Sequence, residues 1–308
     1  DNASIQERAA YAQERNNVRI ANREEMSKRF AFVSMTDTAQ EFSQYDEFYF
    51  GMQLDFRGRV YSVSSYNCMG PDEMKATLQF AKGKALGEDG WKWLAIHLCN
   101  VGDFDEMSKA TFEERVQWVM DNEDWIMDCV ENPWENRRWA EADKPFLFMA
   151  AAMEWKGFLE QGDSFVSHIP ASMDGSCSGL AHLAMAMKCK TTAASVNILP
   201  NDVMQDIYQI VADKVTARLV EDSQKPFEHW GEPVLNNMGG RVPCYSELAL
   251  EWLNYGFGRK EAKTSTMTYS YGSKQYGFKT QIQETVMKKV KKDCARTGQD
   301  FPFSYDGG

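Results

Sequence analysis

Residues 173–182, MDGSCSGLAH, carry two readings of one turn. Gly175-Ser176-Cys177-Ser178-Gly179 has the outline of a hydrolase elbow, in which a nucleophile flanked by glycines sits on a sharp strand-to-helix turn. The same residues place a carboxylate, Asp174, at the end of an extended segment with small residues beside it. Upstream, Phe165–Met173 predicts a strand entering the turn, and Leu180–Lys190 predicts a helix leaving it. The chemical group is either the Cys177 thiol or the Asp174 carboxylate. A thiol nucleophile needs a base, and His97, His168, His182 and His229 show no supporting signature.

Working outward, the 308 residues suffice for one large domain or two ordinary ones, and 43% hydrophobic with 13% aromatic content is globular. The longest apolar run, FLFMAAAM at 146–153, is far shorter than a membrane span. The polar N-terminus has no signal-peptide pattern. Seven cysteines, scattered and never spaced C-x-x-C, predict free thiols in a reducing compartment, a cytoplasmic character and no zinc site. Helices dominate the prediction: one over 4–31, several over 86–154 rich in tryptophan, and one whose stripe Val203, Ile207, Ile210, Val211, Val215 follows a cap at Pro200-Asn201-Asp202. Strands are expected around a turn in 47–66. The class is α+β, predominantly helical, with no internal repeat.

Net charge is −11, yet residues 251–296 hold ten Lys/Arg against four acids, a local +6. An anionic ligand responds to that local field and not to the total. Within it, RKEAKTSTMTYSYG at 259–272 repeats Arg259, Lys263, Met267 and Tyr271 every fourth residue, one side of a helix, with Gly272 as a stop. A guanidinium, an ammonium and a phenol on one face suit a triphosphate, although a snorkelling surface face would show the same spacing. DFRGRVY at 55–61 adds Arg57 and Arg59 around Gly58 at a strand turn, where both could reach phosphate.

These stretches resemble one family, the single-subunit RNA polymerases of the bacteriophage T7 and mitochondrial type. The matching segments are DFRGRVYSV at 55–63, LQFAKGKALG at 78–87 and ENPWENRRWAEADKPFLFMAAAMEW at 131–155. MDGSCSGLAH at 173–182, VNILPNDVMQDIYQIVADKV at 196–215 and YGFGRKEAKTSTMTYSYGSKQYGF at 255–278 follow in the family's order. The resemblance makes Asp174, with the backbone carbonyl of Gly175, a ligand of catalytic magnesium, two ions in the complete enzyme, and leaves Cys177 a small neighbour. It places Lys263 near the triphosphate, stabilising charge or protonating the leaving pyrophosphate, and Arg259 on the β- or γ-phosphate. Tyr271 would test the incoming sugar, Arg57 and Arg59 would lie on the template–primer side, and His182 keeps the family's motif. The implied partners are a DNA template, an RNA transcript and ribonucleoside triphosphates, with no membrane. The bacterial cytoplasm of a phage host is the implied location, ahead of a mitochondrial or plastid matrix.

The related A-type DNA polymerases share the Arg-Lys-Tyr-Gly helix but carry a glutamate five residues after the metal aspartate. Gly179 stands there in this chain, and Met267 replaces their usual aromatic residue; both favour a ribose. One departure is larger. The family's second metal aspartate lies in an H-D-S segment, and this chain has no His-Asp pair and reaches FPFSYDGG 36 residues beyond Gly272. Asp306 is too close to the helix to substitute. The expectation is a fragment, or one half of a split enzyme whose second polypeptide supplies the late palm. On the family's right-hand architecture, 1–45 ends the thumb, 46–83 begins the palm, 84–164 is a helical insertion, 165–190 is the metal-bearing palm and 191–308 is fingers, with the palm sheet incomplete.

Overall fold

The computed structural model describes residues 4–226 and 242–304. His229, Asp306 and most of the polar stretch 221–244 lie outside the described residues. The chain divides into two compact units, 1–172 and 173–308. The expected 165–190 segment is therefore shared between them.

In the first unit α1 (Ile5–Phe42) extends eleven residues past the predicted end. Tertiary packing supplies the reason: Met35, Ala39 and Phe42 join Tyr66, Leu78, Phe48 and Phe50 in a small apolar cluster that gives the last turns something to bury. The strands expected around 47–66 form an antiparallel hairpin, β1 (Met52–Leu54) and β2 (Val60–Ser62). Next, α2 (Asp72–Ala76) leads to the two-residue strand β3 (Lys84–Ala85).

A helical core follows in α3 (Gly87–Gly102), α4 (Phe112–Asp121), α5 (Glu123–Glu131) and α6 (Pro145–Gln161). Two of these starts have a visible cause. Thr111 and Glu114 form a reciprocal capping box on α4, and Pro145 opens α6 where its missing N–H costs nothing. The amides of Phe146 and Leu147 donate to the Asp72 carboxylate at 2.8 and 3.1 Å, a cap brought from 74 residues away. The FLFMAAAM run packs inward: Phe148, Ala151 and Ala152 are fully buried with Leu98, Val119, Ile126 and Trp155. Trp118 and Trp125 close on Phe104, and the Arg138 guanidinium lies 4.1 Å from the Trp125 ring centroid.

His97 of α3 is buried here, and its Nε2 has no hydrogen-bond partner among the described residues. Burial, helped by the Lys144 charge, pushes its pKa down to about 4. Unfolded, the imidazole takes a proton near 6.5; native, only near 4. Stability is therefore fully present above about pH 6.5 and is lost as pH falls toward 4, by on the order of 3 kcal/mol. Urea unfolding between pH 7 and 4 checks this: a His97→Phe variant should show a shallower acid loss than the native chain. Equal slopes would remove His97 from the account.

The predicted strand 165–173 shortens to β4 (Val166–Ser167), paired antiparallel with β3. Pro170 lacks an N–H for a ladder, and 168–173 find no strand partner among the described residues. Among the described residues strands are thus confined to two two-stranded ladders in a predominantly helical fold.

The second unit contains α7 (Ser178–Met187), α8 (Lys190–Ser195), α9 (Ile207–Ser223), α10 (Tyr245–Tyr255), α11 (Arg259–Tyr269), α12 (Gln275–Ile282) and α13 (Lys288–Thr297). A π-helical turn, Gln283–Met287, separates the last two. The cap predicted at 200–202 is displaced to Asp206, whose carboxylate accepts from the amides of Tyr208 and Gln209, so Val203 stands outside the helix. α9 packs on both α10 and α11. All seven cysteines are unpaired. Among the described residues no helix is long and apolar enough to cross a membrane.

Candidate active site

The loop Asp174–Cys177 enters α7 and lies exposed as far as Gly175. Asp174 Oδ1 accepts from the Gly175 amide at 2.8 Å. Ser176 anchors the loop at two atoms. Asn197 Nδ2 donates to its Oγ at 2.7 Å, and the Tyr208 hydroxyl donates to its carbonyl at 3.0 Å. Asn197 is held in turn by Gln205, whose amide and carbonyl both meet its side-chain amide at 2.8 Å. Cys177 is buried with Leu180, Val196, Ile207 and Tyr208, the environment of a packing thiol.

The cationic face forms on α11. Gly258 donates its amide to the Glu261 carboxylate at 3.1 Å at the start of the helix. At the other end the amides of Gly272 and Ser273 return to the carbonyls of Tyr269 and Thr268, with Gly272 at φ +85°. That Schellman turn makes Tyr271 the last residue before the left-handed glycine, two residues past the end of α11. Arg259 Nε pairs with the Asp206 carboxylate. The Arg259 guanidinium lies 5.3 Å and Lys263 Nζ 5.9 Å from the Tyr208 ring centroid. Among the described residues Lys263 has no carboxylate partner. Burial alone would raise the Asp206 carboxyl, but Arg259 and the two amides of α9 outweigh it and hold it below the usual range. Burial, with the Cys177 thiol beside it, pushes the Tyr208 phenol up to about 12.

Asp174, Gly175, Gly179, Arg259, Lys263 and Tyr271 line a single cleft of about 310 Å³, with Tyr208 and Met267 on its wall. A larger cavity of about 440 Å³ against the opposite side of α11 is bounded mainly by apolar groups such as Trp252, Phe278 and Met287. The larger cavity has Lys279 beside Glu261 in its lining, whereas Arg259 and Lys263 both line the smaller space. Gly179 is there for a packing reason the sequence did not show. A Cβ on it would stand 2.0 Å from Ser270 Oγ and 2.9 Å from Ser270 Cβ, so α7 and the end of α11 meet only because the side chain is absent.

Magnesium takes oxygen donors and keeps several waters, bound through one or two carboxylates and substrate phosphates. The Asp174 carboxylate and the Gly175 carbonyl fit that need, and nothing lies within 4 Å of the space a Gly175 Cβ would fill. Among the described residues no three His, Cys, Asp or Glu groups gather to hold a metal. Among the described residues the donors lining this cleft fit one hydrated ion.

Other expected residues lie elsewhere. His182 is exposed on α7 and does not line the cleft. Arg57 and Arg59 belong to the first unit. Arg57 folds back on Asp55 in a two-point contact of 3.0 and 2.8 Å and reaches the Tyr61 hydroxyl, so it is already engaged within its own hairpin. Asp55 also accepts from the amides of Arg57 and Arg59, and those contacts, the Arg59 amide first, lower its pKa. The Arg59 side chain has no such partner among the described residues. Sequence reasoning missed Asn197, Asp206 and Tyr208. Their one signal was polarity within VNILPNDVMQDIY, a stretch otherwise read as a helix stripe and its cap.

A family model of DNA-dependent RNA polymerase matches residues 84–303. The chain is 37% identical over 267 residues to T7 RNA polymerase of Escherichia phage T7, covering 85% of this chain and 30% of that protein. It is 36% identical over 303 residues to a DNA-directed RNA polymerase of Enterobacteria phage K11, 97% of this chain and 33% of the other. A mitochondrial DNA-directed RNA polymerase of Homo sapiens is 33% identical over 263 residues, 84% and 19% respectively. The chain thus spans about a third of its phage relatives and a smaller share of the mitochondrial ones. Family match and phage and mitochondrial likeness together establish that this chain belongs to the DNA-dependent RNA polymerases of the phage T7 and mitochondrial type.

Proposed function

We propose that this chain carries the triphosphate-binding face and the first metal-binding carboxylate of a DNA-directed RNA polymerase, adding ribonucleotides to an RNA 3′ end on a DNA template. The observation that supports this reading is the shared cleft: Asp174, 85 residues distant in sequence from Arg259, lines the same 310 Å³ space as Arg259, Lys263 and Tyr271. In that space Arg259 and Lys263 neutralise the triphosphate, whose charge grows on the leaving pyrophosphate as the 3′-hydroxyl attacks the α-phosphorus. Lys263, without a carboxylate partner among the described residues, is free to donate a proton to that leaving group. Tyr271, exposed at the end of α11, offers a ring and a hydroxyl to the incoming sugar or base. Asp174 and the Gly175 carbonyl would hold magnesium. When bound, the metal supplies charge neutralisation and a lowered pKa for the attacking hydroxyl. Two-ion catalysis then requires a further carboxylate, which the described residues do not bring to this cleft, supplied in cis or on a second polypeptide.

The 308-residue chain alone should bind ribonucleoside triphosphate, more weakly as salt rises, and extend no primer. Adding the polypeptide that bears the second carboxylate should start magnesium-dependent extension of a labelled primer on a DNA template. Primer extension by the chain alone would overturn the division of carboxylates. Triphosphate binding that ignores both salt and Lys263→Ala would overturn the cleft assignment.

A further inference from the structure

Tyr208 touches both halves of the cleft. Its hydroxyl holds the carbonyl of Ser176, two residues from Asp174, at 3.0 Å. Its ring lies beside Arg259 and Lys263 at 5.3 and 5.9 Å. It is 7% exposed and packed with Cys177, Leu180 and Ile207, so it has little freedom to follow one contact without the other. The local reason it stands there is Asp206. That carboxylate caps α9, putting Tyr208 in its first turn, and also pairs with Arg259 Nε. A rigid ring thereby bridges a backbone carbonyl of the metal-side loop and the cations of α11.

We propose that Tyr208 is a positioning residue that couples the Asp174 loop to the cationic face, so that magnesium at the loop and triphosphate at α11 strengthen each other's binding. The inference rests on the functional reading above and deepens it. The hydroxyl carries the connection to the loop, because it alone meets the Ser176 carbonyl. The ring supports Arg259 and Lys263 through its π face, which neither needs nor uses the hydroxyl. Coupled sites change each other's affinity by the same factor, commonly 5–150-fold.

Tyr208→Phe removes the hydroxyl and keeps the ring. The probe is inorganic tripolyphosphate, titrated calorimetrically into the 308-residue chain with and without magnesium, after subtraction of the metal's own association with the probe. The native chain should bind about tenfold more tightly with magnesium, and Asp174→Asn should abolish that enhancement. Tyr208→Phe should keep the magnesium-free affinity within about twofold and lose most of the enhancement. Tyr208→Leu, which removes the ring, should weaken magnesium-free binding as well. A purely structural tyrosine would lower the thermal midpoint and leave the ratio unchanged; that result overturns the proposal while the functional reading stands. If the native chain binds no tripolyphosphate at all, the functional reading fails and this one with it. Should Tyr208→Phe not fold, 4-aminophenylalanine at position 208, which keeps the ring and a donor at the para position, decides: a native ratio supports the coupling, and loss of the ratio in a folded variant overturns it.

Discussion

Asp174→Asn is expected to lower nucleotide addition by an active polymerase containing this chain by about 10²–10³-fold, the scale of removing a group that stabilises transition-state charge. The amide keeps the volume and one acceptor oxygen but loses the charge a hard divalent cation requires. The fold should not change. Asp174 is exposed, and among the described residues its hydrogen bond is to the adjacent Gly175 amide, a bond that the asparagine oxygen also accepts. Circular dichroism and thermal unfolding should therefore match the native chain while primer extension is lost. Cys177→Ser is the opposing case. Its thiol is buried among Leu180, Val196 and Ile207, so serine there places a hydroxyl in an apolar cluster and acts on stability. Retained extension in Asp174→Asn together with loss in a folded Cys177→Ser would return the chemistry to the thiol.

Gly179→Glu is expected to shift the preference between ribose and deoxyribose by about 10–100-fold against ribose, with large losses for both. Two effects combine in that substitution and have to be separated. Any Cβ at 179 drives into Ser270, at 2.0 Å from its Oγ and 2.9 Å from its Cβ, and so displaces the turn that carries Tyr271. That part is blind to the sugar. The carboxylate beyond Cβ adds bulk on the cleft wall and is the part that discriminates against a 2′-hydroxyl. Gly179→Ala should therefore reduce use of both nucleotides equally, and Gly179→Ala with Ser270→Gly should recover much of that loss. Competition between ATP and dATP in primer extension reads the ratio. An unchanged ratio in Gly179→Glu would make Gly179 a packing glycine alone.

The sequence by itself determined on which elements several of the candidate groups sit. The four-residue spacing of Arg259, Lys263 and Met267 is a property of one helix, and the Gly272 stop follows from a left-handed backbone position that suits glycine. Asp174 before the small residues was legible for the same reason: it is a local pattern. The helical character of 86–154 was legible too, because apolar periodicity and capping residues act within a few turns.

Tertiary structure alone decided the rest. The last turns of α1 form because Met35 and Phe42 have Tyr66 and Leu78 to pack against, a contact invisible to local propensity. The strand expected to Met173 ends at Ser167, because a strand needs a partner's backbone and not merely its own β-rich composition. Arg57 turns back to Asp55, which has already closed its hairpin, so a side chain that reads as a phosphate ligand is engaged at home. Asn197, in the loop after α8, and Asp206 and Tyr208, at the start of α9, gain their places only when packing brings them to the Ser176 hydroxyl and carbonyl and to Arg259. Side-chain identity and helical phase are encoded over a few residues, whereas which loop a tyrosine holds depends on packing between segments whose separation along the chain carries no such signal.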